Sequence, residues 1–436
     1  MLKLINELYP ICRSITGEGL RKSLKIISSK FNTKMQIHSV PSGTEVFDWV
    51  VPNEWNIRDA WVKDPFGNKI IDFNDSNLHV MGYSEPIDKH LSWKELDKKL
   101  YCGIMPKRIP YRTSYYKRDW GFCTGLQMPD WEGTQAGLVG KTGKYKDLKE
   151  SDCKYHAYID STLEPGHLNY GEVVIPGKSN QEILFSTYLC HPSMCNDNLS
   201  GPAIHTKLIK KLERTKNFYT YRFIFIPETI GAICWLHKNQ NNLSKYVGGF
   251  VTTCAGDDGP VTYKKTRSGS IIDDIVQYVL DDYDYSYIRD YSPLGSDERQ
   301  FSSPGFDMPI GTLMRTPPGE FSEYHNSDDN IDFISEKKLN EIYSIYSKII
   351  VILEKDYKYL SSNLRCEPNF GKRDLYNRVG ATTLEDDIKA YKWIMNYSDG
   401  HHTLFDIAKL SNFSFTQILS CSKILEKKGL ITKCIR

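Results

Sequence analysis

Two mostly apolar runs, Ile183–Leu189 and Tyr221–Ile226, are the clearest hydrophobic pattern in the chain. Short runs of this kind, bounded by polar segments, are typical of strands buried on both faces of a sheet. Two other segments, Gly201–Leu212 and Leu339–Leu353, have helical patterns instead. Strands and helices alternate in this way from about 150 to 355, which predicts a layered α/β core.

The patterns before this core differ from it. Apolar residues recur at spacings of three and four in the first 35 residues and predict an amphipathic helix: Leu20, Leu24, Ile27 and Phe31. From about 36 to 150, strand-like pieces such as Thr44–Val51 and Ala60–Lys63 alternate with turn signals such as Asp64–Asn68. This alternation, with few helical patterns, predicts a small β-rich region.

The carboxyl-terminal residues predict a compact helical unit. Three helical segments, Asp386–Met395, Leu404–Leu410 and Ser414–Lys428, are separated by turns. Gly429 stands where a glycine commonly ends a helix in the left-handed conformation. Helix, turn, short helix, turn and longer helix, followed by an apolar strand, is the order of a winged helix.

These patterns predict three domains. Residues 1–50 and 150–355 would form one discontinuous α/β domain with a mixed sheet. Residues 51–149 would form a small β-rich domain inserted into it, and residues 376–436 a winged helix-turn-helix domain. The polar segment Ser361–Arg373 would link the last two domains of the chain.

Length, charge and cysteine content limit the number of domains, the partners and the compartment that we expect for this protein. A length of 436 residues exceeds one ordinary core, and a formal net charge of +2 gives no overall nucleic-acid footprint. Eleven cysteines without a Cys-x-x-Cys pair disfavour a disulfide framework and favour a reducing compartment. No apolar run approaches the roughly 20 residues that span a bilayer, and polar residues break the amino terminus before a signal-peptide core could form. We therefore expect a soluble, cytoplasmic protein without a membrane partner.

Three polar segments carry the chemistry of a metal site: Cys190–Gly201, Pro227–Gly231 and Tyr324–Asn330. The first two follow the apolar runs, and open α/β sheets place their sites at the carboxyl ends of strands. Together the segments supply imidazoles, a carboxylate ligand and a carboxylate free to act as a base, as a hydrolytic zinc centre requires. The sequence therefore indicates a zinc hydrolase site.

Each of these residues has a plainer interpretation when it is taken alone. His191 could be a hydrogen-bonded core residue, and Asp197 could cap the helix that follows it. Glu228 could be a buried partner for Arg222 or Lys265. The occurrence of all three segments together and in this order favours the metal site over these alternatives.

The combined pattern resembles a known family. A histidine, Asn-Asp-Asn-x-Ser-Gly, Glu-x-x-Gly and His-x-x-x-Asp follow one another as in the co-catalytic zinc aminopeptidases, a group that includes bacterial leucyl aminopeptidases. Arg13–Gly19 and Pro-Glu-Thr-Ile-Gly also resemble a bacterial branch that has a nested small domain and a carboxyl-terminal winged helix. The resemblance covers nearly the whole chain. It implies a mixed sheet flanked by helices and the removal of amino-terminal residues from peptides.

The resemblance also implies a role for each motif residue. His191 would be the first zinc ligand, Asp197 the carboxylate that bridges two metals, and His325 the last ligand. Glu228 would be the general base that takes a proton from water. Asp329, or the aspartate before it, would be a partner that fixes the tautomer of the last histidine.

Three positions depart from the two-metal pattern of the family. A second glutamate follows the base in relatives and ligates one zinc, whereas Thr229 stands at that position here. The later aspartate ligand falls near Cys254, so either that thiolate or the Asp257 carboxylate would take its place. Ser193 replaces the aspartate that supports the first histidine. The number of zinc ions, one or two, stays open, and one zinc with an open position suffices to activate water.

Three functions are compatible with these observations. The first is a zinc-dependent aminopeptidase-like hydrolase that acts on a peptide or small amide substrate. The loss of a ligand at Thr229 favours an alternative, a single-zinc acyltransferase or cyclase similar to the glutaminyl cyclases of the same fold. The third is a catalytically inactive ligand sensor with the winged helix as its output. Retention of Glu228 argues against the sensor, because a sensor has little need of a base there.

Other residues near the motifs are weaker candidates. Asp297 and Arg299 could contact the substrate or belong to a surface turn. Glu320 and Glu323 could bind a substrate ammonium or lie in a solvated loop. The inserted domain is rich in tryptophan and would restrict access to the site or bind an extended or sugar-bearing ligand: Trp49, Trp55, Trp61, Trp93, Trp120 and Trp131.

The winged helix lacks the charge pattern of a strong DNA binder. Its third helix offers Lys423, Lys427 and Lys428 near its end and no arginine. Few cations release few counterions, so we expect weak DNA binding. A protein-interaction role, including a homo-oligomer formed through this domain, is the expectation that we prefer.

Overall fold

Strands and helices alternate along most of the chain in the computed structural model, which describes residues 1–103, 107–125, 154–375 and 386–434. Numbered in chain order, the strands are β1 (Met35–Pro41), β2 (Glu45–Val46), β3 (Trp49–Val50), β4 (Glu54–Lys63), β5 (Lys69–Asp72), β6 (Ile87–Leu91), β7 (Leu100–Cys102), β8 (Phe122–Thr124), β9 (Tyr155–Glu164), β10 (His167–Ile175), β11 (Glu182–Tyr188), β12 (Thr220–Ile226), β13 (Tyr246–Thr252), β14 (Val261–Lys264), β15 (Ser286–Arg289), β16 (Ile310–Met314), β17 (Lys358–Ser361), β18 (Asp399–Thr403) and β19 (Ile431–Lys433). The α-helices are α1 (Leu2–Leu8), α2 (Glu18–Ser28), α3 (Trp93–Asp97), α4 (Ser200–Leu212), α5 (Ile230–Asn239), α6 (Ile271–Leu280), α7 (Glu298–Phe301), α8 (Glu336–Lys355), α9 (Asp386–Tyr397), α10 (Leu404–Ser411) and α11 (Phe415–Lys427).

The chain divides into two compact units. The larger unit contains Met1–Gln277 and Tyr283–Ser344, and the smaller unit contains Tyr278–Asp282 and Ile345–Arg436. All three polar segments that the sequence singles out therefore belong to the larger unit. None of the described helices is long and apolar enough to cross a membrane.

A mixed sheet forms the centre of the larger unit. Its strands follow the order β1-β10-β12-β11-β13-β16-β14-β15 among the described residues. The strands β12, β11, β13 and β16 are mutually parallel, whereas β1 and β10 pair antiparallel at one side. Every residue of β11 is buried, as its apolar run predicts. Because neighbouring parallel strands end at the same edge, the segments that follow β11 and β12 meet there.

Three helices agree with the sequence patterns. Three residues of the predicted amino-terminal stripe, Leu20, Leu24 and Ile27, are buried on one face of α2. The predicted helix at Gly201–Leu212 is α4, and the predicted helix at Leu339–Leu353 is the middle of α8.

The β-rich region contains a separate antiparallel sheet in the order β5-β4-β9-β6. Strand β9 pairs with both β4 and β6, although it follows the predicted domain boundary at residue 149. Its partners lie far away in the sequence, so local pattern alone assigned it to the core. The predicted strand Thr44–Val51 is instead the hairpin of β2 and β3, with Phe47 at a φ of 55°. Trp131 lies outside the described residues.

The smaller unit combines α9, α10 and α11 with a sheet in the order β18-β17-β19. Its helices match the predicted ones, and Gly429 ends α11 at a φ of 69°. Thr403 and Asp406 form a reciprocal capping box at the start of α10. Strand β17 lies before the predicted boundary at residue 376, because it pairs with strands that follow much later in the chain.

Candidate metal centre

The ends of two parallel strands bring the first histidine and the glutamate together. Tyr188, the last residue of β11, is paired with Ile226, the last residue of β12. His191 follows the first strand and Glu228 follows the second, so both side chains lie at the same sheet edge. Nε2 of His191 is 3.7 Å from Oε2 of Glu228.

A turn between β11 and α4 presents the aspartate. Cys195–Leu199 forms a π-helical turn in which Asp197 departs from helical geometry, with φ −101° and ψ 74°. Such π-type turns occur frequently at functional sites. Tyr188 donates its hydroxyl hydrogen to Oδ1 of Asp197, which fixes that side of the carboxylate.

The residues around Asp197 in its motif hold this turn in place. The side-chain oxygen of Asn196 accepts the Gly256 N–H at 2.8 Å, and the Ser200 hydroxyl donates to the Asn196 carbonyl at 2.6 Å. A side chain at Gly201 would come within 2.2 Å of the Thr187 hydroxyl and 2.4 Å of the Thr252 carbonyl. Only glycine therefore lets α4 approach the sheet closely enough to set the aspartate at its edge.

The second histidine completes the group. His325 has a φ of 56°, and its carbonyl accepts the Tyr111 N–H at 2.8 Å. Its Nε2 lies 2.9 Å from Oδ2 of Asp197. One ligand atom each from His191, Asp197 and His325 lies within 4.8 Å of the others. The structure thus brings together all four residues that the sequence predicts for the site.

The chemistry of this donor set fits a zinc ion. Asp197 Oδ2 and His325 Nε2 are buried and face each other at 2.9 Å, but neither has a well-aligned hydrogen bond to any of the described residues. Burying such atoms without a partner is costly, so their arrangement favours a cation between them. Two imidazoles and a carboxylate that leave a fourth position open are typical of catalytic zinc.

The electrostatics of the ligands suit metal binding. Burial lowers the pKa of His191 to about 4, so its ring is neutral and has a free lone pair at neutral pH. Burial opposes ionisation of Asp197, but the neighbouring histidines and the Tyr188 hydroxyl lower its pKa to about 2. Burial lowers and the Asp197 carboxylate raises the pKa of His325, and the raising effect is the larger.

Glu228 is held apart from the ligands as a candidate base. Its Oε1 accepts a hydrogen bond of 2.8 Å from the Ser296 hydroxyl, and its side chain is about a quarter exposed. Burial and then the charge of Asp197 raise the pKa of Glu228 to about 7. A carboxylate that titrates near neutrality is suited to accept and return a proton.

Glu228 is not a buried partner of Arg222 or Lys265, the alternative that the sequence leaves open. Arg222 pairs instead with Glu172 and Glu182, at 2.9 and 2.6 Å, and Lys265 pairs with Asp290 at 3.2 Å.

An arginine is linked to the position of the missing second glutamate. Thr229 has φ 63° and ψ −76°, a strained conformation for a β-branched residue. Its N–H donates to Oδ1 of Asp297 at 2.7 Å, and its hydroxyl accepts from Nη2 of Arg299 at 3.1 Å. Asp297 is fully buried and Arg299 is half-buried, so both side chains lie beside Thr229 and not in an exposed surface turn, and a contact with the substrate stays a prediction.

Neither candidate for the later ligand joins the metal group among the described residues. The Asp257 carboxylate accepts from Asn196 at 2.8 Å, Thr316 at 2.6 Å and the Gly259 N–H at 2.7 Å. It serves to hold the loops together. The buried Cys254 thiol accepts a hydrogen bond of 3.5 Å from the Thr253 hydroxyl.

Asp329 has a different role from the predicted one. Its carboxylate accepts the backbone N–H groups of Cys195, Asn196 and Asp197, at 3.1, 2.6 and 2.8 Å. It therefore anchors the aspartate turn, whereas the sequence predicts a hydrogen bond to the imidazole of His325. The two glutamates before that histidine bind cations of the chain: Glu320 pairs with Arg289 and Glu323 with Arg108.

The sequence does not predict a tyrosine wall, formed by Tyr111 and Tyr115, that lies beside the two histidines. The Tyr111 ring lies 4.9 Å from the His191 ring and 5.2 Å from the His325 ring. The hydroxyls of Tyr111 and Tyr115 lie 2.5 Å apart. This wall belongs to the β-rich region, in which a cluster of tyrosines near residue 111 was the only available signal.

Comparisons with known proteins agree with this architecture. Residues 2–356 match the family described as "Domain of unknown function (DUF4910)", and residues 358–433 match a winged helix-turn-helix family. A Clostridium acetobutylicum protein is 45% identical over 98% of this chain and 95% of its own length. It is provisionally named a polysaccharide biosynthesis protein with an aminopeptidase-like domain.

Solved structures extend the likeness. A C. acetobutylicum crystal structure, provisionally named a peptidase, has 44% identity and a TM-score of 0.88 over 99% of this chain and 96% of its own. The Bacillus subtilis zinc aminopeptidase BSAP has 12% identity and a TM-score of 0.53, over 81% of this chain and 94% of its own. A Shewanella amazonensis peptidase M28 precursor has 12% identity and a TM-score of 0.54, over 81% and 92%. The last two likenesses show an aminopeptidase-like fold of the core. The chain therefore belongs to the family described as domain of unknown function DUF4910, and it joins an aminopeptidase-like core to a winged-helix domain.

Proposed function

We propose that the protein is a zinc-dependent, aminopeptidase-like hydrolase that cleaves the amide bond after the amino-terminal residue of a peptide or small amide. His191, Asp197 and His325 hold the metal, and Glu228 is the general base. The observation that carries the proposal is the ligand group within 4.8 Å, with two buried atoms that lack other partners and a carboxylate beside it.

We further propose that the centre holds one zinc ion. The Thr229 hydroxyl is a poor zinc ligand and is bonded to a guanidinium. Cys254 lies outside the ligand group of the described residues, and the Asp257 carboxylate is occupied by hydrogen bonds from Asn196, Gly259 and Thr316. In this scheme Arg299 supplies the positive charge that a second metal supplies in the two-metal relatives.

Zinc bound at this site would act as a Lewis acid that makes water a nucleophile near neutral pH. Glu228 would accept a proton from the attacking water and return it to the leaving amine. The Ser296 hydroxyl orients this carboxylate, and Tyr188 keeps the Asp197 carboxylate turned toward the ligand group. The Tyr111 ring packs against both histidines and excludes bulk water from one side of the site.

The experiment that tests the proposal combines metal analysis with turnover on a panel of short peptides and amino acid amides. Wild-type protein should carry zinc and release the first residue, and removal of zinc by a chelator should abolish release until zinc is added back. Zinc-loaded protein that cleaves no member of the panel would contradict the hydrolase.

A cyclase on the same fold is a second candidate, supported by the single ligand group and by a Glu228 carboxyl suited to shuttling a proton. The two reactions differ in the use of water. In water labelled with oxygen-18, hydrolysis of a glutamine-initiated peptide places the label in the product carboxylate. Cyclisation releases ammonia and leaves the product unlabelled.

A further inference from the structure

The loop that carries His325 is held by a segment of the β-rich region. Residues 322–328, which we call the histidine loop, lie against residues 108–111, which we call the bridging segment. Both belong to the larger unit, and one of the hydrogen bonds between them joins residues 218 positions apart in the chain. The contact therefore connects the β-rich region to the candidate metal centre.

Backbone groups join the two segments in both directions. The Tyr111 N–H donates to the His325 carbonyl at 2.8 Å, and the Ser327 N–H donates to the Ile109 carbonyl at 2.9 Å. The Ile109 N–H donates in turn to the Ser327 hydroxyl at 3.0 Å. These three bonds hold the histidine loop at the candidate ligand itself and two residues after it.

The side chain of Arg108 extends this contact to both ends of the histidine loop. Its Nη1 donates to the Ser322 carbonyl at 2.7 Å, and its Nε lies 2.6 Å from Oδ2 of Asp328. Its Nη2 lies 3.5 Å from Oε1 of Glu323. The side chain is 17% exposed, and the planar guanidinium presents its donors in a rigid arrangement. Arg108 thus binds the loop both before and after His325.

The histidine loop needs this support because of its backbone conformation. His325 has a φ of 56°, in the left-handed region that residues other than glycine adopt at a cost. Such conformations persist where the surrounding structure determines them. Inside the loop, Asn326 donates to the Ser322 carbonyl at 2.8 Å and accepts the Asp328 N–H at 3.0 Å. These internal bonds close the loop, and the bridging segment holds it from outside.

We propose that Arg108 is a positioning residue of the metal centre: through the backbone of the histidine loop it keeps the His325 imidazole beside Asp197. The inference rests on the proposed function, because it takes His325 as a zinc ligand. It has a reciprocal consequence. If attachment of the bridging segment strengthens zinc binding, zinc must stabilise that attachment by the same factor.

The first test is the zinc affinity of Arg108→Met, measured by competition with a chromogenic chelator. We expect it to be about tenfold weaker than that of the wild type, within the 10–100-fold typical of residues that orient a ligand. Arg118→Met is the control, because Arg118 lies in the same region and pairs with Glu85 at 2.6 Å, with a side chain that is 78% exposed. Equal affinities of the two variants would overturn the proposal.

A second pair of variants leaves the arginine and its charge in place. Ser327→Ala removes the oxygen that accepts the Ile109 N–H, and it should weaken zinc binding severalfold. Ser322→Ala is the matched control in the same loop, because the Ser322 hydroxyl donates to Glu323 at 2.9 Å and not to the bridging segment. This variant should keep the wild-type affinity. Equal effects of the two serine variants would contradict the proposed attachment.

Amide hydrogen exchange tests the reciprocal effect, which a purely structural arginine would not produce. Saturating zinc should slow exchange of the Ile109 and Tyr111 N–H groups by at least about tenfold in the wild type. The Gly67 and Asn68 N–H groups are the internal control, because both are hydrogen bonded to Asp64 in another turn of the β-rich region. Their exchange should not depend on zinc. Exchange of the bridging segment that is equally insensitive to zinc would overturn the proposal.

These measurements need no turnover, so they separate the inference from the proposed function. Zinc binding that weakens in Arg108→Met but not in Arg118→Met, in a protein that cleaves no substrate, would overturn the hydrolase and support the positioning residue. Cleavage by a wild-type protein whose zinc affinity is the same in Arg108→Met would overturn the positioning residue and leave the hydrolase standing.

Discussion

In one half of the site, His191, Asp197 and His325 gather three ligand atoms, and two of these atoms have no well-aligned hydrogen bond to any residue that the structure describes. In the other half, Thr229 binds Asp297 through its N–H and Arg299 through its hydroxyl. Asp297 and Arg299 each also have one buried atom without a hydrogen-bond partner in the described part of the chain, but one residue is an acid and the other a cation. In the one-zinc scheme that we propose, the first half takes a cation from outside, whereas the Arg299 guanidinium serves as the cation of the second half.

The largest expected effect comes from the half that needs the metal. His325→Ala should weaken zinc binding by at least about 100-fold, because removal of a ligand costs more than the 10–100-fold of an outer partner. Competition with a chromogenic chelator measures the change. The control is His167→Ala, an exposed histidine on β10. Equal zinc affinity of the two variants would contradict the assignment of His325.

Next in size is the loss of the base. Glu228→Gln should retain one zinc and lower kcat by ~10²–10⁴-fold, the usual contribution of a general base. The amide keeps the shape of the side chain and its bond to Ser296, so a folding defect is not expected. Wild-type turnover with full zinc content would require a base elsewhere in the site.

The arginine of the second half should have a smaller effect, with a distinctive pH dependence. The charge of Arg299 lowers the pKa of Glu228, so Arg299→Met should raise that pKa. Because the base acts only when ionised, the acid limb of kcat/KM should move to higher pH by up to about one unit. Zinc content should not change.

Arg267→Met, at an arginine paired with Asp307, is the control for this shift. An unmoved acid limb in Arg299→Met would remove the arginine from the electrostatics of the site.

The smallest effect is expected at the unused ligand position. Cys254→Ser should leave zinc content unchanged and cost about 1–2 kcal/mol of stability, because it buries a hydroxyl at the site of a thiol. Thermal unfolding and elemental analysis measure the two effects. A loss of zinc in this variant would make the thiol a ligand.

The residues that bind the metal in this account could be predicted from the sequence, because each has a signal close to it in the chain. His191 and Glu228 follow apolar runs, and parallel strands end at one edge, so local pattern placed them together. Asp197 and His325 were added by motif order. These four positions depend on features that lie within a few residues of each side chain.

The missed features depend on pairing across long sequence distances. The Tyr111 N–H meets the His325 carbonyl from a segment of the β-rich region far away in the chain. Strand β9 was assigned to the core for the same reason. The sequence leaves two interpretations of Arg299 open, a substrate contact or a surface turn, because nothing near it in the sequence indicates that it reaches Thr229. The positive φ angles of Thr229 and His325 likewise have no local signal, because glycine is the residue from which a positive φ is usually predicted.

The most direct test of the account is the number of zinc ions that one chain holds at saturation. Protein dialysed against excess zinc and then freed of loosely bound metal should retain one zinc per chain by elemental analysis. Anomalous diffraction at the zinc edge should place that ion among His191, Asp197 and His325. A second tightly bound ion beside Thr229, with Arg299 displaced from the threonine hydroxyl, would contradict the account.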